Sequence, residues 1–376
     1  MRSVMSWIKS SLIVLVVTIV TIKAVDYSFG SFRQGSSEVL TQGQRSILLR
    51  EHNPNQSAII IPFDDYMVNT DGLIQKEYRI SIDANGFIEN GNPKTDNSFV
   101  IAFIGGSTTE TIYVEEKERF PSVVERELRE KLSRNIKTIN AGVSGNNSMH
   151  SLLNFQSKIL PENPKIAVLM HNINDFALLS KTGSYWIAPK GKEIVKGEGN
   201  TSEISNEILL FDLMRSAKNI FIPNLYAYLK LRLFSNLDVR DEFKGYRKGS
   251  IEIYSIETRS MFEKSLRSFV ELSRTWDVKP ILMTQFNRIS TKDYLFMGWI
   301  REQGFGNQAE EMVGLYNELN EIIRKVAAET DTHLIDLDIK IPKTSEYIYD
   351  FIHLNTKGSR LVGNLISQEL IKAIEN

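Results

Sequence analysis

From residue 98 onward the chain repeats one unit. A short apolar run is followed by a longer stretch whose apolar residues return every three or four positions. The runs are 98–104 (SFVIAFI), 136–139 (IKTI), 166–170 (IAVLM), 280–284 (PILMT) and 333–337 (HLIDL). A strand apolar on both sides must be covered on both faces, as the strands of a parallel sheet are. The stretches between carry single stripes: Phe120, Val123, Val124, Leu128 and Leu132 in 117–133, then Phe262, Leu266, Phe269 and Val270 in 260–276. A third, in 356–374, has Leu361, Val362, Leu365, Leu370 and Ile374, with Asn355 or Thr356 as its N-cap. Parallel strands need crossover connections, and amphipathic helices supply them. The expected fold class is α/β: a three-layer α/β/α domain over 96–376 with a central parallel five-stranded sheet. Ligands of such sheets bind beyond the carboxyl ends of the strands.

Residues from about 180 to 258 break the repeat. Their first part is rich in Gly and Lys and reads as a loop; 206–236 is apolar and helical in pattern. This is expected as an insertion over one end of the sheet. Tyr185 and Trp186 within it either stack on a sugar ring or pack the loop down. Upstream, 26–95 reads as a polar stalk followed by a short β lead-in.

The N-terminus departs from this pattern. Residues 10–22, SSLIVLVVTIVTI, are uncharged and lie between Lys9 and Lys23. As a helix, 13 residues span about 20 Å, short of a hydrocarbon core of roughly 30 Å. Trp7, Ile8, Ala24 and Val25 extend the run, and the flanking lysines can snorkel. Residues 1–25 are expected to be a transmembrane signal-anchor helix, with a cleaved signal peptide as the alternative. Either way the rest of the chain is expected outside the cytoplasm, periplasmic or at the cell surface.

Composition excludes several chemistries. With 45 Lys and Arg against 46 Asp and Glu, the net charge is −1, so no field favours nucleic acid as a partner. The absence of cysteine removes disulfides, thiolate zinc sites and a cysteine nucleophile. His52, His150, His171 and His333 have no metal-ligand spacing with carboxylates, so neither metal nor cofactor is expected. His171 carries a substrate contact as its alternative role.

Chemistry is concentrated where the strands end. The first run leads into Gly105-Gly106-Ser107-Thr108-Thr109-Glu110. No Lys follows as in a Walker loop, no third Gly completes a dinucleotide fingerprint, and Thr109 stands where a nucleophile elbow needs Gly. What remains is a serine at a strand tip, beside a glycine that lets the backbone turn. The second run ends in NAGVSGNNS (140–148) and the third in HNINDF (171–176). Ahead of the last helix, Asp350 precedes His353 by three residues. A serine hydroxyl needs a base, an imidazole can be one, and a carboxylate fixes the imidazole's tautomer. Each residue also has a structural alternative: turn serine, loop histidine, capping aspartate, turn glycine, Asx-turn asparagine.

Taken in order, GGST, NAGVSG, NIND and DFIH resemble the four blocks of the SGNH (GDSL-type) serine hydrolase family. The glycine at 106 and the NGF at 85–87 are similar to its membrane-associated bacterial GGST members. The resemblance implies a flavodoxin-like fold and a catalytic triad of Ser107, Asp350 and His353. It implies an oxyanion hole made by the Ser107 and Gly145 amides and the Asn174 side chain. Asn172 replaces a family glycine, a substitution expected to survive because Asn tolerates left-handed dihedrals. The function so implied is a serine esterase acting on small O-acyl groups, such as acetyl on a surface polysaccharide or glycan. Two alternatives share the sequence: an O-acetyltransferase drawing acyl groups from a partner protein, and a non-catalytic glycan-binding or assembly protein.

Overall fold

Along the strand Phe99–Gly105, alternate residues bury against two different helical layers. Ile101 and Phe103 face one layer, while Val100, Ala102 and Ile104 face the other. A computed structural model describes residues 17, 45–47, 49–90, 95, 97–188, 193–197, 253–302 and 308–375. The chain divides into two units, 1–45 with 197–200 and 46–196 with 201–376. Apart from Val17, the apolar segment 10–22 lies outside the described residues, as does 206–236. No helix among the described residues is long and apolar enough to cross a membrane.

In the larger unit the elements run β1 (Ser57–Ile60), β2 (Tyr78–Ser81), β3 (Phe99–Gly105), α1 (Phe120–Leu132), β4 (Ile136–Gly142), α2 (Ser148–Asn154), β5 (Ile166–Met170) and α3 (Ile173–Thr182). They continue as α4 (Ser255–Thr275), β6 (Lys279–Met283), α5 (Tyr294–Glu302), α6 (Ala309–Glu329), β7 (His333–Ile335) and α7 (Thr356–Glu375). β1 and β2 pair antiparallel. The other five strands form one parallel sheet in spatial order β4-β3-β5-β6-β7. Counted within that sheet the order is 2-1-3-4-5, which is the flavodoxin-like doubly wound arrangement. The order reverses around β3, so the exits of β3, β4 and β5 meet at the switch point where such folds bind ligands.

α1 and α7 cover one face, over Ile101, Phe103, Ile136, Val168 and Ile281. Residues of α2, α3, α4 and α6 cover the other, over Val100, Ala102, Ile104, Ile139 and Leu169. The expected three-layer domain with five parallel strands is therefore what forms. The fifth strand is shorter than its apolar run, because Leu337–Lys340 turns into one helical turn. Of the two capping candidates for α7, Asn355 is used: its Oδ1 accepts the Gly358 N–H at 2.9 Å, and Thr356 is already helical. That bond fixes where the helix behind the Asp-x-x-His loop begins.

Residues 49–90 belong to the same unit as the sheet. The NGF turn places Gly86 at φ 77°, and the Asp83 carboxylate accepts the Asn85 and Phe87 amides at 2.8 and 2.9 Å. Phe87 is thereby buried, and the next residue, Ile88, donates its N–H to the Asn140 carbonyl on the edge strand β4 at 3.1 Å.

Candidate active site

At the exit of β3 the backbone stays extended through Gly106 and then makes a single helical turn, Ser107–Glu110. The two glycines are needed for close approach rather than for a left-handed turn. A Cβ on Gly105 would lie 2.2 Å from Thr109 Oγ1 and 2.7 Å from the Met170 carbonyl oxygen. A Cβ on Gly106 would lie 2.3 Å from Asn174 Nδ2. Gly142, at the end of β4, would collide with the Glu110 amide at 2.3 Å. These three positions let the serine turn sit against its neighbours.

Beyond β4, the Asn146 N–H donates to the Val143 carbonyl at 3.0 Å, closing a turn with Gly145 third and at φ 75°. A turn with positive φ at its third residue calls for glycine. Beyond β5, Asn174 lies in the first turn of α3 and donates from Nδ2 to the Asn146 carbonyl at 2.7 Å. The first three sequence blocks thus converge on one side-chain amide.

Asn172 departs from expectation. Its φ of −168° is extended backbone, so left-handed tolerance plays no part. The side chain is used instead: Nδ2 donates to the Tyr316 carbonyl at 3.0 Å and to Asn320 Oδ1 at 3.1 Å. Gln285, just past β6, joins this buried network. It accepts the Ile173 N–H at 2.9 Å and donates to Thr108 Oγ1 at 2.9 Å. Gln285 was not singled out in the sequence, although its place directly after a strand run marks it.

The fourth block closes over Ser107 from the other end of the chain. His353 Nε2 lies 2.8 Å from Ser107 Oγ, across 246 sequence positions. His353 Nδ1 lies 2.7 Å from Asp350 Oδ2. Asp350 Oδ1 also accepts the Ile352 and His353 amides, each at 2.7 Å. Capping and partnering the imidazole were separate alternatives for this aspartate, and its two oxygens do both. Tyr349 stacks on the imidazole, ring centroids 5.6 Å apart and 14° between planes. The loop is pinned by Arg288, which donates to the Ile348 carbonyl at 3.1 Å and pairs with Asp71 and Asp293. Asp71 in turn donates its N–H to the Tyr349 carbonyl at 2.9 Å.

A second string of similar residues lies deeper. Ser151 Oγ is 2.7 Å from His171 Nε2, and His171 Nδ1 is 3.5 Å from Asp175 Oδ2. Burial pushes His171 down to about 3 and Asp175 up to about 6, each toward its neutral form. Asp175 accepts from Ser148 Oγ and from the Tyr185 hydroxyl at 2.6 Å. All of these groups are buried. His171 and Tyr185 are therefore both core residues, and Tyr185 packs inward rather than serving as a sugar platform. Trp186 is 63% exposed. Ser107 is 9% exposed and the His353 side chain 18%, so this pair, unlike the deeper one, touches solvent. No cluster of metal-ligating residues occurs among the described residues.

No protein-family model and no curated protein matches the sequence. Solved structures do align with it. An acetyl xylan esterase, AlAXEase, is similar over 73% of this chain and 99% of its own, at 16% identity and TM-score 0.41. A lipase/acylhydrolase from Enterococcus faecalis covers 73% and 96%, at 16% identity and TM-score 0.41. A GDSL-like lipase from Bacteroides thetaiotaomicron covers 75% and 92%, at 14% identity and TM-score 0.41. Likeness this distant assigns no activity, and the chemistry of the site rests on its own geometry.

Proposed function

We propose that the protein is a serine hydrolase of the SGNH type that cleaves small O-acyl esters through an acyl-enzyme on Ser107. The Ser107–His353–Asp350 relay, with links of 2.8 and 2.7 Å, is the observation that carries this reading. Asp350 holds the proton on Nδ1, which leaves the Nε2 lone pair facing the serine hydroxyl. As Ser107 Oγ attacks the ester carbon, its proton passes to Nε2. The imidazolium then gives that proton to the departing alkoxide, leaving the acyl group on Oγ. Water enters, loses a proton to Nε2 and attacks the acyl carbon. Collapse of the second tetrahedral intermediate releases the acid and returns the proton to Ser107.

The negative charge on the tetrahedral oxygen needs donors fixed in advance. Asn174 Nδ2 has two hydrogens, and the Asn146 carbonyl takes one. The other, the Gly145 amide and the Ser107 amide at the start of its helical turn are the donors we assign to the oxyanion. An acetylated glycan outside the cytoplasm is the substrate class we infer, with residues 1–25 as membrane anchor. This rests on the uncharged run between Lys9 and Lys23 and on the family resemblance.

Hydrolysis of an aryl acetate tests the reading. Asn174→Ala is expected to lower kcat by roughly 10²–10³-fold, as loss of one oxyanion donor does, with KM little changed. Unchanged kcat would remove Asn174 from the hole. Adding an acetyl-accepting glycan and weighing the products shows whether water or a sugar hydroxyl takes the acyl group.

A further inference from the structure

The peptide linking Ser144 to Gly145 is held from behind by a charged side chain. Arg50 Nη2 donates to the Ser144 carbonyl at 3.1 Å, and Nη1 donates to the Gly145 carbonyl at 2.8 Å. The Ser144 carbonyl and the Gly145 N–H are the two ends of a single peptide unit. A cation bonded to that oxygen draws electron density out of the unit and makes its N–H a stronger donor. The same two bonds fix the plane of a turn whose third residue sits at positive φ.

Arg50 is itself tied down. Its carbonyl accepts Asn146 Nδ2 at 3.1 Å and Asn154 Nδ2 at 2.9 Å. Other charged and titratable groups meet the same turn. Ser144 Oγ donates to the buried Glu110 carboxylate. His52 Nε2 lies 3.2 Å from Glu110 Oε1 and 3.2 Å from the Gly142 carbonyl. Glu51 pairs with Lys158 nearby.

From these contacts we infer that Arg50 is a positioning residue for ester hydrolysis, orienting and polarising the Gly145 N–H that receives the oxyanion. The inference rests on the proposed hydrolase reading and assigns a part in it to the segment ahead of β1. Arg50 does not touch the substrate; it acts through the peptide.

The test uses the full chain, with Arg50→Gln and Arg50→Lys assayed on an aryl acetate beside Ser107→Ala. Arg50→Gln is expected to lower kcat about 10–100-fold, a fraction of what losing the donor outright costs, with KM within about threefold. Arg50→Lys keeps the charge but cannot bridge two carbonyls as a fork, so it is expected to fall between Gln and wild type. In the wild type, the Gly145 amide proton is expected downfield of its position in Arg50→Gln in ¹H–¹⁵N spectra. A merely structural contact would not produce that graded shift alongside a kcat loss. A folded Arg50→Gln with wild-type kcat, or one whose loss lies wholly in KM, overturns the inference while Ser107→Ala is inactive. If Ser107→Ala keeps full turnover, the hydrolase reading falls and the Arg50 inference falls with it.

Discussion

Replacing Ser107 by Ala is expected to abolish aryl acetate hydrolysis, lowering kcat by on the order of 10⁴–10⁶-fold. The loss is this large because the acyl-enzyme forms on Oγ, and without it His353 has no serine to deprotonate and no acyl group for water to attack. Stability should hardly move. The Ser107 side chain is small, and His353, 2.8 Å from its hydroxyl, remains bonded to Asp350. Turnover and thermal midpoint measured on one preparation separate the two effects. A variant with wild-type Tm and no turnover is the expected result; retention of a tenth of the wild-type kcat would mean another nucleophile.

Asp350→Asn is the second large effect, about 10⁴-fold in kcat. Asparagine can still accept the Ile352 and His353 amides through Oδ1, so the turn survives. What replaces Oδ2 is an NH₂ group facing Nδ1. The imidazole then keeps Nδ1 as acceptor and carries its proton on Nε2, pointing a donor at a hydroxyl that needs an acceptor. A capping aspartate with no part in catalysis would give the opposite outcome: near-normal kcat in the Asn variant. Because Asn preserves the cap, lost activity at unchanged Tm isolates the tautomer.

The sheet was legible because burial on both faces leaves a plain mark, apolar runs of five or so residues separated by striped helices. The runs 98–104, 136–139 and 166–170 fall on β3, β4 and β5, and their exits carry the glycine and asparagine blocks. The serine, histidine and aspartate were legible through their order along the chain, and the structure brings all three together. The role of Asn172 is not legible in the same way, because one sequence shows which residue replaces a glycine but not that its amide bonds the Tyr316 carbonyl and Asn320, far along the chain. Tyr185 is ambiguous for a related reason: beside Trp186 it looks like half of an aromatic platform, and only tertiary packing puts its hydroxyl on Asp175. Arg50, Asp71 and Arg288 carried no local signal at all. The two arginines bond main-chain carbonyls or carboxylates and Asp71 bonds Arg288, all brought near by the fold, and nothing in the sequence beside these residues announces their partners.

Activation of the Ser107 hydroxyl by His353 is tested most directly by active-site labelling, which assumes no substrate. A fluorophosphonate probe reacts with a serine only when a base takes its proton and donors receive the developing oxyanion. Peptide mapping of the labelled protein is expected to place the adduct on Ser107, with labelling lost in a folded His353→Ala variant. No adduct on Ser107 in folded wild-type protein, or equal labelling when His353 is absent, would contradict the account.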